Sequence, residues 1–243
     1  MSAPGLEVAA DSVGSALAAQ DGGAMRVELC GGLDGGGLTP SYGTLAVVRE
    51  RLQIPLYVLI RPRVGDFVFD ADEVEAMRSD VEQCVRLGCD GVVLGALDRH
   101  GQVDMATMRV LIDAAGSLGV TFHRAIDVSA DPARALEDAI ALGCERVLTS
   151  GARASALEGV DTIAALVRQA GERISVMPGA GLSESNLRTV RQQTGAHEFH
   201  ASARSVIAAQ VPAPHPYIRD LGGDYQRTDI VRVKQMVDAL QHG

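Results

Sequence analysis

The feature that most constrains this chain is a unit that recurs along its whole length: a short apolar strand, a polar loop, then an amphipathic helix. Candidate strands are LEVAA (6–10), RVELC (26–30), PLYVLIRPR (55–63), GVVLGAL (91–97), VTFHRAID (120–127), RVLTSG (146–151), ISVMPGAG (174–181) and EFHASA (198–203). Their starts lie 20 to 36 residues apart, about one strand plus one crossover helix. Helix signals fill the gaps. Ser12 is a candidate N-cap for the helix that runs out at Gly22, and Pro40 and Ser41 open the next. In DEVEAMRSDVEQCVRLG, Val74, Met77, Val81, Cys84, Val85 and Leu87 fall near one face. Asp131 and Pro132 start a helix that Gly143 ends, Ser183 caps another, and TDIVRVKQMVDALQ is the eighth.

Eight strands with eight crossovers predict an α/β fold, a TIM-like (β/α)8 barrel with a parallel eight-stranded sheet. An open doubly wound sheet is the alternative; the regular spacing and the lack of GxGxxG after the first strand favour the barrel. With 243 residues and no internal linker, residues 1–243 are expected to form a single domain.

Composition narrows the function classes. The net charge is −9, without a basic cluster, which argues against nucleic acid and anionic membrane as partners. Aromatics are 3% and Trp is absent, so a base-stacking surface is not expected. No apolar run reaches the roughly 18 residues of a membrane span. MSAPGLEVAADS lacks the basic and apolar regions of a secretory signal, so a cytoplasmic location is expected. The four cysteines form no CxxC pair and are expected to be reduced; "LGC" at 87–89 and 142–144 marks a helix stopping before a strand, and Cys84, Cys89 and Cys144 read as structural.

In a barrel of this kind the chemistry sits at the carboxyl ends of the strands. Side chains alternate along a strand, so polar residues of shared parity identify the inward face. That face collects Glu7, Arg26, Glu28, Cys30, Arg61, Arg63, Thr121, His123, Asp127, Thr149, Glu198, His200, Ser202 and Arg204, while Val27, Leu29, Phe122 and Phe199 fall in the opposite parity. Such a ring reads either as a hydrogen-bonded structural layer or as a site. Glu28 and Arg61 form a candidate buried ion pair. His123 with Glu28, Arg61, Arg63, Arg124 and Asp127 in one mouth favours a site. Two loops add an anion signal: MPGAGLSESN (177–186), with Gly179 and Gly181, and HASARS (200–205) follow the seventh and eighth strands, where backbone amides bind phosphate in many barrels. RPRVGDFVFD (61–70) lies at the same face and is a candidate lid.

The strings RVELCGGLDGGGLTPS (26–41), IRPRVGDF (60–67), VTFHRAID (120–127), RVLTSG (146–151), ALEG (156–159), MPGAG (177–181) with Asn186 and Leu187, EFHASAR (198–204) and GGDYQRTD (222–229) closely resemble the CutC family of copper homeostasis proteins, in order and over almost the whole chain. The resemblance implies a TIM-like barrel, a cytoplasmic location, a homo-oligomer, commonly a dimer, and copper as the bound metal. The family's proposed Cu(I) ligands are cysteines near the ends of the first two strands. One matches Cys30; the other maps onto Ala9.

Three functional expectations follow. The resemblance implies Cu(I) handling through Cys30, with His123 or Met177 as conceivable partners. The residues themselves point to an enzyme for a small anionic, phosphorylated substrate: Glu28, His123 and Asp127 would act as the catalytic group, and Arg61, Arg63, Arg124, Thr149, Gly179, Gly181, His200, Ser202 and Arg204 would hold the anion. Isomerase, lyase and hydrolase chemistry are all open. The third is a regulatory or scaffold barrel whose mouth binds a ligand without turnover.

Overall fold

The computed structural model describes residues 4–211 and 223–241. Strands and helices alternate: β1 (Gly5–Ala10), α1 (Val13–Asp21), β2 (Arg26–Leu29), α2 (Tyr42–Arg51), β3 (Leu56–Leu59), α3 (Ala71–Leu87), β4 (Gly91–Leu94), α4 (Met105–Ala115), β5 (Gly119–Phe122), α5 (Pro132–Ala141), β6 (Arg146–Thr149), α6 (Val160–Ala170), β7 (Ser175–Pro178), α7 (Leu187–Thr194) and β8 (Glu198–Ala201). Then β9 (Arg204–Ile207) pairs antiparallel with β10 (Tyr225–Thr228), and α8 (Ile230–Gln241) follows. The eight-stranded sheet is parallel, in the order β7-β6-β5-β4-β3-β2-β1-β8. β7 packs against β8, so the sheet is a nearly closed barrel as expected. Among the described residues no helix is long and apolar enough to cross a membrane.

The helices start where the sequence supplies caps. Ser12, Ser41 and Asp131 accept amide hydrogens at the starts of α1, α2 and α5, and Asp70 with Glu73 closes a capping box on α3. Two expectations shift. Val85 is exposed on α3, while Met77, Val81 and Cys84 make its buried stripe. α7 begins at Leu187, not beside Ser183, because the Asn186 side chain accepts the Ser183 amide and donates to the Gly181 carbonyl, closing the preceding loop first. The β9–β10 pair was not anticipated, since its strands are separated in sequence and carry no local hairpin signal. Gly222, the first residue of GGDYQRTD, lies outside the described residues.

Strand parity sorts the interior into two parts. The outward positions, including Val8, Val27, Val58, Val92, Phe122, Val147 and Phe199, join the helices in the main core. The inward positions carry a small separate cluster of Cys30, Tyr57, Leu59 and Val93, above a layer of buried charge. Arg26 donates to Glu7 and, at 2.5 Å, to Glu198; Arg146 donates to Glu198 at 3.0 Å. The two guanidinium carbons each lie 5.0 Å from the Tyr57 ring centroid, and the Tyr57 hydroxyl donates to Glu145 at 2.6 Å. Burial works to raise the Glu7 pKa, but the Arg26 charge and the His200 hydrogen bond override it and hold the carboxyl at about 2.

Arg26 is therefore the counter-charge that makes the barrel floor tolerable. Replacing it with Ala is expected to cost about 3–5 kcal/mol, because Glu7 is left buried without its cation. Chemical denaturation at pH 7 measures this; a loss under about 1 kcal/mol would show that Glu7 is compensated elsewhere.

Candidate functional site

At the carboxyl ends of the strands lies a cavity of about 280 Å³. Of the residues expected there, Glu28, Cys30, Arg61, His123, Arg124, Gly181, His200 and Ser202 line it. Phe67, Leu33, Leu59, Leu148 and Leu182 supply its apolar wall, and Ala9, Gly36, Gly37, Ala180 and Ala201 complete it.

The other expected residues lie outside the lining. Arg63 follows β3 but folds back onto its own loop, bonding Glu73 at 2.5 Å and the Val68 carbonyl at 2.8 Å. Arg204 opens β9 and reaches Asp34 at 2.8 Å. Thr149 has the outward parity of Val147, with Leu148 turned inward instead; its hydroxyl donates to Asp127 at 2.6 Å. Asp127 lies on a short 3-10 segment (Arg124–Val128) where strand alternation has ended. It accepts from the Thr149 and Ser150 hydroxyls, the Ser150 and Ala152 amides and the Arg124 guanidinium, so it ties the β5 and β6 ends together and holds Arg124 at the mouth. It does not bond His123. Gly179 lines nothing itself, but a Cβ there would meet Leu148 at 2.5 Å and His200 at 3.2 Å. Its lack of a side chain lets β7 approach β8.

The expected Glu28–Arg61 pair is absent. Arg61 donates instead to the carbonyls of Gly35 (3.3 Å), Gly37 (3.2 Å) and Gly65 (2.9 Å). It thus joins the β2–α2 loop to the β3–α3 loop, and its guanidinium carbon lies 4.9 Å from the Phe67 ring centroid. The segment 61–70 is further tied by the Phe67 carbonyl, which accepts the Leu97 amide at 2.8 Å, and it contributes Arg61 and Phe67 to the cavity lining. Arg61 is 7% exposed and forms no ion pair among the described residues. Burial and the nearby Arg63 charge push its pKa down, without removing its charge.

The polar atoms of this cavity are conspicuously unsatisfied. Among the described residues, Glu28 Oε2, Arg61 Nε and His123 Nε2 are buried without a protein partner. Buried polar groups in native proteins are otherwise nearly always paired. The amides of Ala180, Gly181, Ser202 and Ala203 donate to nothing among the described residues. Ala180, Gly181 and Ala203 have φ of +75°, +70° and +46°, and Ala180, Gly181 and Ser202 line the cavity.

The two histidines differ. His123 Nδ1 accepts the Ala125 amide at 3.2 Å, and burial together with the Arg61 charge lowers its pKa to about 3. Titration near neutral pH, the expected behaviour of His123, is thereby removed. His200 Nδ1 lies 2.8 Å from Glu7 Oε1 and 3.9 Å from Glu28 Oε2. Burial opposes its charge, but the two carboxylates outweigh that and raise its pKa. Glu28 is pushed up to about 7, chiefly by burial, with His200 pulling it down and Glu7 pushing it up. Glu7, Glu28 and His200 are one group whose donor atoms lie within 4.8 Å of one another, close enough to hold a cation. Arg26 and His200 already occupy both Glu7 oxygens.

Copper, the metal that the resemblance implies, is not matched by the residues present. Cu(I) takes two or three soft ligands. Cys30 is 1% exposed, and its thiol is directed to the Ala10 carbonyl at 3.6 Å. Burial and the Glu28 and Asp11 charges push its pKa up, away from thiolate. Ala9 presents a methyl where a second thiol is needed. Met177 Sδ, the alternative soft donor, accepts from Arg26 at 3.8 Å. Cys84 lies on α3, and Cys89 and Cys144 precede β4 and β6, at the other end of the barrel.

Glu28 is expensive for the fold. With a folded pKa of about 7 against 4.5 unfolded, the native state binds the extra proton between these values, so stability falls as pH rises through this window. Glu28→Gln is expected to raise the melting temperature at pH 8 by a few degrees and to change it little at pH 4. Thermal denaturation at both pH values decides this; a lower melting temperature at pH 8 would mean that Glu28 is structural.

The CutC family profile matches residues 5–205. A family protein CutC of Xanthomonas axonopodis pv. citri (strain 306) is 88% identical over 237 residues, covering 98% of this chain and 99% of the relative. One from Bacteroides thetaiotaomicron is 43% identical over 242 residues, covering 97% and 96%. The crystal structure of a copper homeostasis protein CutC from Streptococcus agalactiae superposes with a TM-score of 0.79 at 32% identity, covering 82% of this chain and 98% of that one. With the barrel, the parity of its strands and the matched length in agreement, this chain belongs to the CutC family.

Proposed function

We propose that the barrel mouth binds and chemically transforms a small anionic organic substrate. The observation that carries this is Arg61: a buried guanidinium with no carboxylate partner and a free Nε, beside a cavity. A buried cation paired only with carbonyls is costly, and an anion in the cavity would offset that cost. Ala180, Gly181 and Ser202 of the cavity lining have amides that donate to nothing among the described residues and suit the same ligand chemistry, and Arg124 and His200 add positive charge. In a chain of net charge −9, this cluster makes the mouth the place to which an anion is drawn. Glu28 and His200 supply proton-transfer groups, which a passive binding barrel does not need.

Copper handling is the description attached to the Streptococcus agalactiae relative. For this chain it rests on the family resemblance, and the lone Cys30 gives it no ligand set. A chain of this family with Ala9 is better read through its polar cavity than through its thiol.

Two measurements test these readings. Inorganic phosphate and short phosphorylated or carboxylated compounds, at about 100 times their Kd, are expected to stabilise the protein by about 2.7 kcal/mol. That corresponds to roughly 5–10 °C in melting temperature for a chain of this size. Arg61→Gln removes most of the shift; no shift with any anion, or a shift indifferent to Arg61, would sink the proposal. In Cu(I) competition against bicinchoninate, wild type and Cys30→Ala are expected to behave alike, and a clear loss of affinity in Cys30→Ala would restore the copper site.

A further inference from the structure

We propose that this cavity performs proton transfer at a carbon next to a carbonyl, with His123 as a neutral N–H donor to the carbonyl oxygen and Glu28 as the base on the opposite wall. The proposal rests on the anion-site reading above and adds the reaction class and the kind of substrate.

The placement comes from the barrel. Glu28 projects from β2, and His123 immediately follows β5, three strands away in a ring of eight, so the two face each other across the cavity. His123 has a fixed tautomer. A nitrogen that accepts the Ala125 amide carries no proton, so the ring proton sits on Nε2, the atom without a protein partner. The ring is held in place: a Cβ at Gly95 would lie 2.5 Å from Nδ1, and the Phe67 ring centroid is 4.8 Å away. Charging this imidazole would break the Ala125 bond and place a second cation beside Arg61. It is therefore a donor that keeps its proton, suited to holding an oxygen on which negative charge develops.

Glu28 has the complementary properties. Its Oε2 accepts no hydrogen bond among the described residues, with His200 Nδ1 3.9 Å away. The charged groups around it are Glu7 from β1, Arg26 from its own strand and His200 from β8; Cys30 is the other nearby titratable group. Leu33, Leu59, Leu148 and Phe67 limit water at the cavity wall.

In the step proposed, the bond from the substrate carbon to hydrogen breaks and the proton passes to a Glu28 oxygen. The bonding pair becomes the new carbon–carbon double bond, and the carbonyl π pair moves to oxygen, giving an enolate held by the His123 N–H. For a substrate that carries a hydroxyl on the carbon that loses the proton, that hydroxyl's proton passes to the enolate oxygen, the Glu28 proton returns to the former carbonyl carbon and the hydroxyl oxygen becomes the new carbonyl, an isomerisation with no net change in atoms or electrons. Without the hydroxyl the proton returns to its original carbon and the step is exchange alone. Arg61 and the free amides hold the anionic end. The substrate class is a short anionic ketone or aldehyde with an acidic neighbouring C–H, small enough for about 280 Å³.

Competing chemistries lack their groups. A Schiff base needs a lysine, and the chain's one lysine, Lys234, is exposed on α8. Covalent catalysis by Cys30 needs a thiolate, and its buried thiol is directed to the Ala10 carbonyl and kept protonated by burial and by the Glu28 and Asp11 charges.

The test is hydrogen–deuterium exchange at carbon. The full-length protein is incubated in D2O with dihydroxyacetone phosphate, its phosphate-free form and pyruvate, and loss of the C–H proton signals is followed by NMR. Exchange above the protein-free rate is expected for at least one anionic member, falling about 100-fold or more in Glu28→Gln and in His123→Ala, and partly recovered in His123→Gln, which keeps an N–H donor. Thermal melts of each variant confirm folding. In parallel, phosphoglycolohydroxamate, a planar enediolate mimic, is expected to bind at least about 10-fold tighter than 2-phosphoglycolate, the excess being lost in His123→Ala. If 2-phosphoglycolate binds but neither exchange nor preference for the hydroxamate is seen, the proton-transfer proposal falls while the anion site stands. If neither compound binds and nothing exchanges, both fall. Exchange that survives Glu28→Gln overturns the assignment of the base.

Discussion

The buried ion network around Arg26 is the interaction on which the rest of this barrel depends. An eight-stranded parallel barrel has an interior just wide enough to be filled by side chains. Here the floor is filled with charge: Glu7, Arg26, Arg146 and Glu198, with Tyr57 between the guanidinium groups. This layer is stable only as a set, since each ion left alone would cost several kcal/mol. Its upper edge is the lower edge of the cavity. Glu7 binds Arg26 with one oxygen and His200 with the other, so the floor reaches upward and fixes a histidine at the mouth. The polar ring that reads from sequence as either structure or site divides in two, an ion-paired layer below and a cavity lining above.

Strand alternation was legible because it is a rigid geometric rule. It placed Glu7, Arg26, Glu28, Cys30 and His200 inward and Val27, Leu29, Phe122 and Phe199 outward, as the two separate apolar clusters show. It failed where the strand stops. Asp127 lies beyond β5 on a 3-10 segment, Arg63 on a loop beyond β3, and Arg204 on β9, a strand formed by long-range pairing. Thr149 differs: at the last position of β6 its parity is outward, although its polar side chain suggests an inward one. Charge pairing was not legible at all. The sequence holds many arginines, and nothing local says that Arg61 bonds loop carbonyls while Arg26 takes the carboxylates. The cavity's decisive feature, atoms left without partners, is visible only in three dimensions.

Arg61 shows how one residue joins loop structure to ligand chemistry. Its three carbonyl bonds hold the glycine-rich segment after β2 against the segment after β3. Glycine is required at position 37, where φ is +87° and a Cβ would come within 2.6 Å of Leu59. The close approach of that backbone brings its carbonyl to the guanidinium. Dipoles partly solvate the charge but do not neutralise it. The result is a preorganised cation at the cavity wall whose position is determined by the fold; for the anion proposed above this would lower the ordering cost of binding.

The two histidines of the mouth carry this logic to protons. Both are buried, and burial alone would make both neutral. Their neighbours separate them. His123 has Arg61 beside it and an amide hydrogen on Nδ1, so every local influence but the weaker Asp127 charge and a backbone hydrogen bond favours the neutral ring. His200 sits between Glu7 and Glu28, and these carboxylates favour its charge. The linkage to stability is opposite in sign. Because the folded value of His123 is depressed, protonating it opposes folding, and stability is lost as pH falls from about 6.5 toward 3. The contribution of His200 is present below 6.5 and is lost as pH rises through its raised folded value. Glu28 likewise loses stability toward alkaline pH. These terms pull against each other around neutrality, so no single protonation state suits all three groups of the mouth. A structure built only for stability would not leave a carboxylate, an imidazole and a guanidinium in that position. A ligand that accepts from His123 and Arg61 and offers a proton to Glu28 would satisfy all three together.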